Sequence, residues 1–174
     1  MNANPLIVPH SNFFIEALQR TAKYNMYNYH LHQEFEIYYL VNGERKYFID
    51  DNIYIVQAGS LVLINPNEIH KTSSIDNPRH ERIVMYFDCS FLESLYPNIV
   101  ELDLLSCFKS KYRVLPLSFK YKNSIEIILD KMLTIYNSNN NYGEPRKEFY
   151  LQLLLSELLL LINEFIDELK AEEY

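Results

Sequence analysis

The chain has 174 residues, of which 48% are hydrophobic, and its formal net charge is −7. This length fits one domain with an appendage, and the apolar content is sufficient for a packed core. The acidic balance, without a block of Lys and Arg, argues against duplex binding by these residues, because that activity needs clustered cations to displace counterions from phosphates.

The N-terminal segment, Met1–Asn12, contains Pro5 and Pro9 and reads as an extended arm. It has no basic stretch followed by an apolar run, so we predict no signal peptide. Cys89 and Cys107 are the only cysteines and do not form a disulfide framework. We therefore expect two reduced thiols in a cytoplasmic protein.

From the arm to Asp88 the sequence predicts short strands separated by turns. Asn42-Gly43 lies between two aromatic and β-branched runs, which is typical of a type I′ hairpin turn. Strands at this regular spacing indicate an antiparallel sandwich or barrel. Phe13–Leu18 and Met26–Leu31 are further candidates, although a helix stays open for residues 13–22. The main predicted strands are Glu36–Val41, Arg45–Ile49, Ile53–Val56, Leu61–Ile64, Ile69–Ser73 and Glu81–Phe87.

After Asp88 the apolar residues recur at helical spacing. A first helix is predicted with Ser124 as its N-cap and an end in the polar run 137–141. A second helix is predicted from Glu144-Pro145 to about Lys170. We thus divide the chain into an arm and barrel, residues 1–88, and a helical segment, residues 89–174.

The second predicted helix is apolar on more than one face. Such a helix needs two partners, so we predict that it helps to form a homodimer; burial of both faces within one subunit is the alternative. Polar residues interrupt its most apolar stretch, Leu151–Ile166, and we therefore predict no membrane span.

His30 and His32 stand two residues apart, and Glu34 and Glu36 continue their parity. Because strand side chains alternate between faces, one strand could present two imidazoles and a carboxylate on one side. His70 opens a later strand and would join them in a closed barrel. This set suits a divalent metal, or the hydroxyl groups of a polar ligand in a metal-free pocket. His10 and His80 are interpreted as ordinary surface or loop histidines.

Read in order, these residues resemble the two cupin motifs in the form found in the effector domain of AraC-type transcriptional regulators. The resemblance runs from about Tyr29 to Phe87. Asn67 stands where Gly is usual, and Ser60 where Asp is usual. The motif elements are His30-x-His32-x-x-x-Glu36, Gly43, Ala58-Gly59-Ser60, and Pro66-Asn67-Glu68-Ile69-His70.

The resemblance implies a mainly β fold, a cupin double-stranded β-helix or jelly-roll barrel, followed by a helical dimerisation unit. It implies an effector-sensing domain of a DNA-binding regulator, with a sugar as the first effector to test and an aromatic or other small organic molecule next. The helix-turn-helix units of such regulators are absent from this chain, so DNA would be bound only through a further domain. In some family members the N-terminal arm folds over the ligand; a plain tail is the alternative for Met1–Asn12. The predicted ligand-binding residues are His30, His32, Glu36, Tyr38 and His70.

Two other functions stay open. A stand-alone metal-dependent cupin enzyme, a dioxygenase or isomerase, would use His30, His32, Glu36 and His70 as metal ligands. A ligand-free oligomerisation or storage module would have its barrel filled by bulky residues such as Tyr38, Tyr54 and Tyr86. We predict no catalytic residue, no enzyme activity and no tightly held metal ion or other cofactor.

Overall fold

The structure is a computed structural model and describes residues 12–93, 95, 103–138 and 143–173. It divides into two compact units. The first extends to Asp88 and takes up Val114–Pro116 from later in the chain; the second contains Cys89–Arg113 and the chain from Leu117 onward. Apart from one returning strand, the first unit thus ends at Asp88.

The first unit is built from two antiparallel sheets. One sheet has five strands in the order β1-β7-β2-β5-β8, and the other has three in the order β4-β3-β6. The mainly β cupin fold with C-terminal helices is confirmed. The strands are β1 Phe13–Arg20, β2 Phe35–Asn42, β3 Glu44–Ile49, β4 Asn52–Gln57, β5 Ser60–Ile64, β6 His70–Ser74, β7 His80–Phe87 and β8 Val114–Pro116.

The predicted hairpin at Asn42-Gly43 is wrong. β2 pairs with β5 and β7, whereas β3 pairs with β4 and β6, so this dipeptide carries the chain from one sheet to the other. Only Gly43 has a positive φ, +94°, and a β-carbon at this position would lie 2.6 Å from the Arg79 carbonyl oxygen. The close approach of backbone, rather than a two-residue turn, explains the glycine.

The local hairpin is instead the one between β3 and β4, where Ile49 pairs with Asn52 across Asp50 and Asp51. Asp50 has a φ of 48°, a conformation that Asp adopts more readily than most residues. Asn67 has a φ of 61°. The turn before His70 therefore keeps its conformation with Asn in the usual glycine position.

The two sheets enclose an interior formed by alternate side chains of each strand. Tyr38 and Tyr47 meet there with their ring centroids 5.0 Å apart. Tyr54 and Tyr86 pack at the edge of this cluster. Its buried members are Tyr38, Leu40, Tyr47, Ile49, Val56, Val62, Ile64 and Val84.

The second unit contains α1 Cys89–Glu93, a 3-10 helix Leu104–Lys109, α2 Phe119–Asn137 and α3 Glu144–Glu172. Ser118 precedes α2, so the predicted N-cap at Ser124 is wrong by more than one turn; Ser124 lies within the helix and its hydroxyl contacts the Lys120 carbonyl. α2 and α3 pack together, with the Tyr121 and Phe165 rings 5.0 Å apart.

α3 buries one side and leaves apolar residues on another. Leu155, Leu158 and Ile162 have no exposed surface, whereas Phe149 is 48% and Leu153 40% exposed. By length and composition alone α3 would suffice to cross a membrane, contrary to our expectation from its polar residues. Half of the most apolar 18-residue window of α3 is buried, however, as in a core helix, so the length and composition of α3 are weak evidence for a membrane span.

Candidate functional site

Four of the predicted site residues converge at one end of the barrel. His30, His32, Glu36 and His70 each offer a ligand atom, and these atoms lie within 4.8 Å of one another. The route to this cluster differs from the prediction. Residues 26–31 form no strand, and His30 reaches the site through an isolated bridge in which its backbone exchanges hydrogen bonds with His70.

His32 also lies outside the strands, because β2 begins only at Phe35. The backbone N–H of Asn67 donates to the His32 carbonyl at 2.7 Å, which fixes this loop against the turn before His70. Glu36 lies on β2 at 3% exposure and points into the interior. Glu34, which shares its parity, stays outside the set of four; its carboxylate lies 3.7 Å from His32 Nδ1.

Backbone carbonyls orient two of the imidazoles. His32 Nδ1 lies 2.9 Å from the Glu34 carbonyl oxygen, and His70 Nδ1 lies 2.9 Å from that of Glu68. Each Nδ1 therefore carries a proton and donates it. In the neutral rings, both Nε2 atoms then present lone pairs.

Both Nε2 atoms face the same carboxylate oxygen. Glu36 Oε2 lies 3.0 Å from His32 Nε2 and 3.2 Å from His70 Nε2, and the latter nitrogen is buried without a well-aligned hydrogen bond. Lone pairs directed at an anionic oxygen repel one another. A proton on an imidazole, or a cation between the groups, is needed to make this arrangement favourable.

The pKa values of the cluster follow from burial and mutual contact. Burial would raise the pKa of Glu36, but its contacts with His32 and His70 outweigh this and hold it well below its usual value. For His70, burial lowers the pKa, and the nearby Glu36 carboxylate reverses the direction and raises it. Burial, together with His70, lowers the pKa of His30 to about 4, so that ring stays neutral at physiological pH.

The donor set fits a divalent metal ion. Three imidazoles and one carboxylate are ligands that zinc, iron, manganese and nickel accept, and carbonyl oxygens orient two of the rings as second-shell partners of metal-bound histidines usually do. The convergence of the His32 and His70 Nε2 atoms on one Glu36 carboxylate oxygen is the observation that supports this fit. The expectation of no tightly held ion stays a prediction, and this geometry weighs against it.

Tyr38 lies apart from the four-residue cluster, in the middle of the barrel. It is 2% exposed, its ring contacts Tyr47, and its hydroxyl is buried without a hydrogen-bond partner. Burial raises the pKa of Tyr38 to about 12, so the phenol keeps its proton. The hydroxyl is therefore available as a donor to a bound molecule.

The interpretation of His80 as a surface histidine is wrong. His80 opens β7 and is only 4% exposed. Arg45, at 1%, is also inside the barrel. Sequence analysis missed both because charged residues are rarely buried, although the shared parity of Arg45, Tyr47 and Ile49 on a predicted strand was the available signal. His10 lies outside the described residues.

Comparison with known proteins places the chain among regulatory domains. The family profile of the AraC-like ligand-binding domain matches residues 15–110. Comparison with curated protein sequences gave no significant match.

Solved structures of ToxT from Vibrio cholerae resemble the chain in fold. ToxT bound to an unsaturated fatty acid superposes with a TM-score of 0.56 at 17% identity, covering 94% of this chain and 57% of ToxT. ToxT bound to (E)-4-(8-methylnaphthalen-1-yl)but-3-enoic acid gives a TM-score of 0.56 at 13% identity, covering 88% and 57%. The chain thus spans a little over half the length of these proteins.

Proposed function

Because this chain belongs to the family of AraC-like ligand-binding domains, we propose that its barrel binds a small-molecule effector on behalf of a cytoplasmic, DNA-binding transcriptional regulator. The observation that carries the proposal is the set of polar groups inside an otherwise apolar barrel, with the His30, His32, Glu36 and His70 cluster at one end and the unpartnered Tyr38 hydroxyl in the middle. Ligand sites are mostly apolar cavities with a few converging polar groups of this kind.

The effector acts on the regulator through a coupling free energy. It must bind one arrangement of the sensor and its partner domain better than another. DNA recognition would be the task of a segment other than these residues, whose net charge of −7 does not suit a duplex. A sugar is the effector that the family resemblance suggests first. The arm, Met1–Asn12, remains a candidate lid; all but its last residue lie outside the described residues.

Effector binding can be tested by thermal unfolding against neutral sugars, sugar acids, fatty acids and aromatic acids. A true effector at one hundred times its Kd stabilises the fold by about 2.7 kcal/mol. Val84→Phe should reduce this stabilisation, because Val84 is buried in the interior cluster and a larger ring would occupy ligand space. Val41→Phe is the matched control, since Val41 lies on β2 with the opposite parity to Tyr38. A screen in which no compound separates wild type from Val84→Phe would contradict effector binding.

We further propose that α3 forms a homodimer. Arg146, Leu153, Leu160 and Asp167 follow one another at intervals of seven residues, and all four are exposed. Such a stripe meets its own copy when two helices pair antiparallel about a two-fold axis. Leu153 then lies opposite Leu160, and Arg146 opposite Asp167, so that apolar and charged positions both match.

Sedimentation analysis tests the dimer. Leu153→Glu should convert it to a monomer, because two carboxylates would be buried against Leu160 of the facing helix. Ile127→Glu is the matched control, since Ile127 is exposed to a similar extent on α2. Exchange of charge at one end, Arg146→Asp, should weaken the dimer, and the added change Asp167→Arg should restore it. A wild-type monomer at high concentration would refute the assignment.

A metal-dependent cupin enzyme remains the second candidate, and the histidine–glutamate cluster favours it. A bound divalent ion would supply Lewis-acid or redox chemistry, with His30, His32, Glu36 and His70 holding it. Metal analysis after purification without chelator tests this, with His70→Ala as the variant. His80→Ala is the control, because His80 is buried on the interior face of β7 but outside the cluster. Stoichiometric metal that only His70→Ala removes would support the site, and turnover of a substrate would be needed for the enzyme.

A further inference from the structure

The end of the barrel away from the histidine cluster carries a second polar centre, which is basic. Arg82 lies on β7 with the parity of Val84 and pairs with Leu18 and Leu40 on the neighbouring strands. Arg20 pairs with His80 at the end of β1. Arg45 is an inward-facing residue at the start of β3 and pairs with Ser74. Ile49, four residues further along β3, pairs with His70 of the histidine cluster. The strand register thus separates the basic from the histidine end.

The positive charge of this centre is only partly balanced. In the part of the chain that the structure describes, the one ion pair made by these arginines joins Arg82 Nη2 to Glu16 Oε1 at 2.8 Å. Arg45 is held by neutral oxygens instead, donating to Thr72 Oγ1, Ser74 Oγ and the Tyr24 carbonyl. The Arg20 guanidinium stacks on the Tyr24 ring at 3.9 Å.

Three donors at this centre have no acceptor. Arg20 Nε, Arg82 Nη1 and the Tyr38 hydroxyl are all buried without a hydrogen-bond partner. Buried unpartnered donors are rare in native proteins because each costs roughly 1–3 kcal/mol. Tyr38 pairs with Val84 on the neighbouring strand, and Arg82 lies two residues from Val84 on the same face, so the Tyr38 and Arg82 side chains are diagonal neighbours. The missing group is therefore an acceptor, and an anionic one.

A groove of about 300 Å³ borders this end of the barrel. Arg20, Arg79 and His80 line it, and Gly43 contributes backbone where a side chain could not fit. Of the three unpartnered donors, Arg20 borders this groove, which offers room for the remainder of a small molecule whose charged end meets Arg20.

We propose that Arg20, Arg82 and the Tyr38 hydroxyl bind the anionic group, a carboxylate or phosphate, of the effector. Guanidinium groups suit this task because their planar N–H donors match both kinds of anion in a bidentate manner. Arg45 donates to the carbonyl of Tyr24, on whose ring Arg20 stacks, and therefore acts as a positioning residue. The inference rests on the proposed effector-binding function and specifies the class of molecule, which a neutral sugar does not fulfil.

The first experiment uses inorganic phosphate and the whole chain. Thermal unfolding is followed during a phosphate titration at constant ionic strength, with chloride as the exchanged anion. At ten times its Kd, phosphate should raise the Tm by roughly 3–6 °C for a chain of this size. Arg82→Met, which keeps the aliphatic stem, should remove the phosphate-specific rise. Lys131→Met, which removes an exposed charge on α2, should leave it intact.

Tyr38→Phe tests the same anion site without changing the net charge of the protein. Loss of one hydrogen bond to an anion should weaken phosphate binding by about tenfold or more while the ring remains in place. Absence of a phosphate-specific rise in wild type would overturn the proposal. An equal rise in wild type, Arg82→Met and Tyr38→Phe would overturn it as well.

Three organic probes of one scaffold then identify the source of the anion. D-galacturonate and D-galactose 6-phosphate differ from D-galactose only at the sixth carbon. Binding of either anion but not galactose, with loss in Arg82→Met, supports the proposal and names the carboxylate or the phosphate. The anion site would be refuted if galactose bound as strongly as its anionic analogues and if Arg82→Met left that binding unchanged. The proposed effector-sensing function would then still stand.

Discussion

Replacement of Gly43 by Ala tests whether the crossing between the two sheets depends on close backbone packing. A β-carbon at a φ of +94° costs roughly 1–2 kcal/mol. The same atom would lie 2.6 Å from the Arg79 carbonyl oxygen and 3.0 Å from the His80 β-carbon, so neighbouring backbone must move. Forced overpacking typically adds about 1–3 kcal/mol. We therefore expect Gly43→Ala to lower the free energy of unfolding by roughly 2–5 kcal/mol.

Urea unfolding followed by far-UV circular dichroism measures this loss, and Gly143→Ala is the matched control. Gly143 also has a positive φ, +70°, but nothing lies within 4 Å of its would-be β-carbon. Only the conformational cost, roughly 1–2 kcal/mol, should appear there. If the two units unfold in separate transitions, Gly43→Ala should shift only that of the barrel. Equal losses at the two positions would show that the close approach to Arg79 has no energetic consequence.

Three further predictions concern the core, the thiols and one turn. On α2, Ile128→Ala should destabilise the protein by about 2–5 kcal/mol in urea unfolding, whereas Ile127→Ala should cost below about 1 kcal/mol, since Ile128 is 3% and Ile127 47% exposed; similar costs would contradict the helix orientation. In native protein a thiol reagent should label Cys89 quickly and Cys107 only after unfolding, because Cys107 is buried and burial raises its pKa to about 12; rapid labelling of both would contradict this burial. Asn67→Gly should leave the free energy of unfolding within about 0.5 kcal/mol, and Asn67→Ala should lower it by roughly 1 kcal/mol, because residue 67 has a φ of 61°; a neutral alanine would argue against this backbone conformation.

The strands were largely predictable because turn residues and alternating apolar side chains are local signals. The six main strands were each placed within one residue at either end, and the second helix was predicted almost to its full length. The pairing of the strands was harder to predict, because it joins residues that are distant in sequence. Asn42-Gly43 has the composition of a hairpin turn, yet its two flanking strands belong to different sheets.

The structure brings His30, His32, Glu36 and His70 together, but not by the route that the sequence analysis expected. Strand parity cannot explain it, since His30 and His32 precede β2. Backbone hydrogen bonds from His30 to His70, and from Asn67 to His32, bring these residues together, and such contacts depend on tertiary structure. The basic end of the barrel was missed altogether. Inward parity is visible in the sequence for Arg45, but whether a strand buries an arginine depends on partners such as Thr72 and Ser74 from a distant strand.

The same sheet order has a consequence for how the chain folds. β1 lies at the edge of the five-stranded sheet, and among the described strands it pairs only with β7, whose partner residues are 60 or more positions later in the chain. At a synthesis rate of about 5–20 residues per second, β1 would wait roughly 3–15 s for β7 to be made. The β3–β4 hairpin can form within microseconds, but the barrel closes only when these distant strands meet. During synthesis the apolar residues of β1, Phe13 and Ile15 among them, therefore remain without their native partners and are candidates for transient chaperone binding.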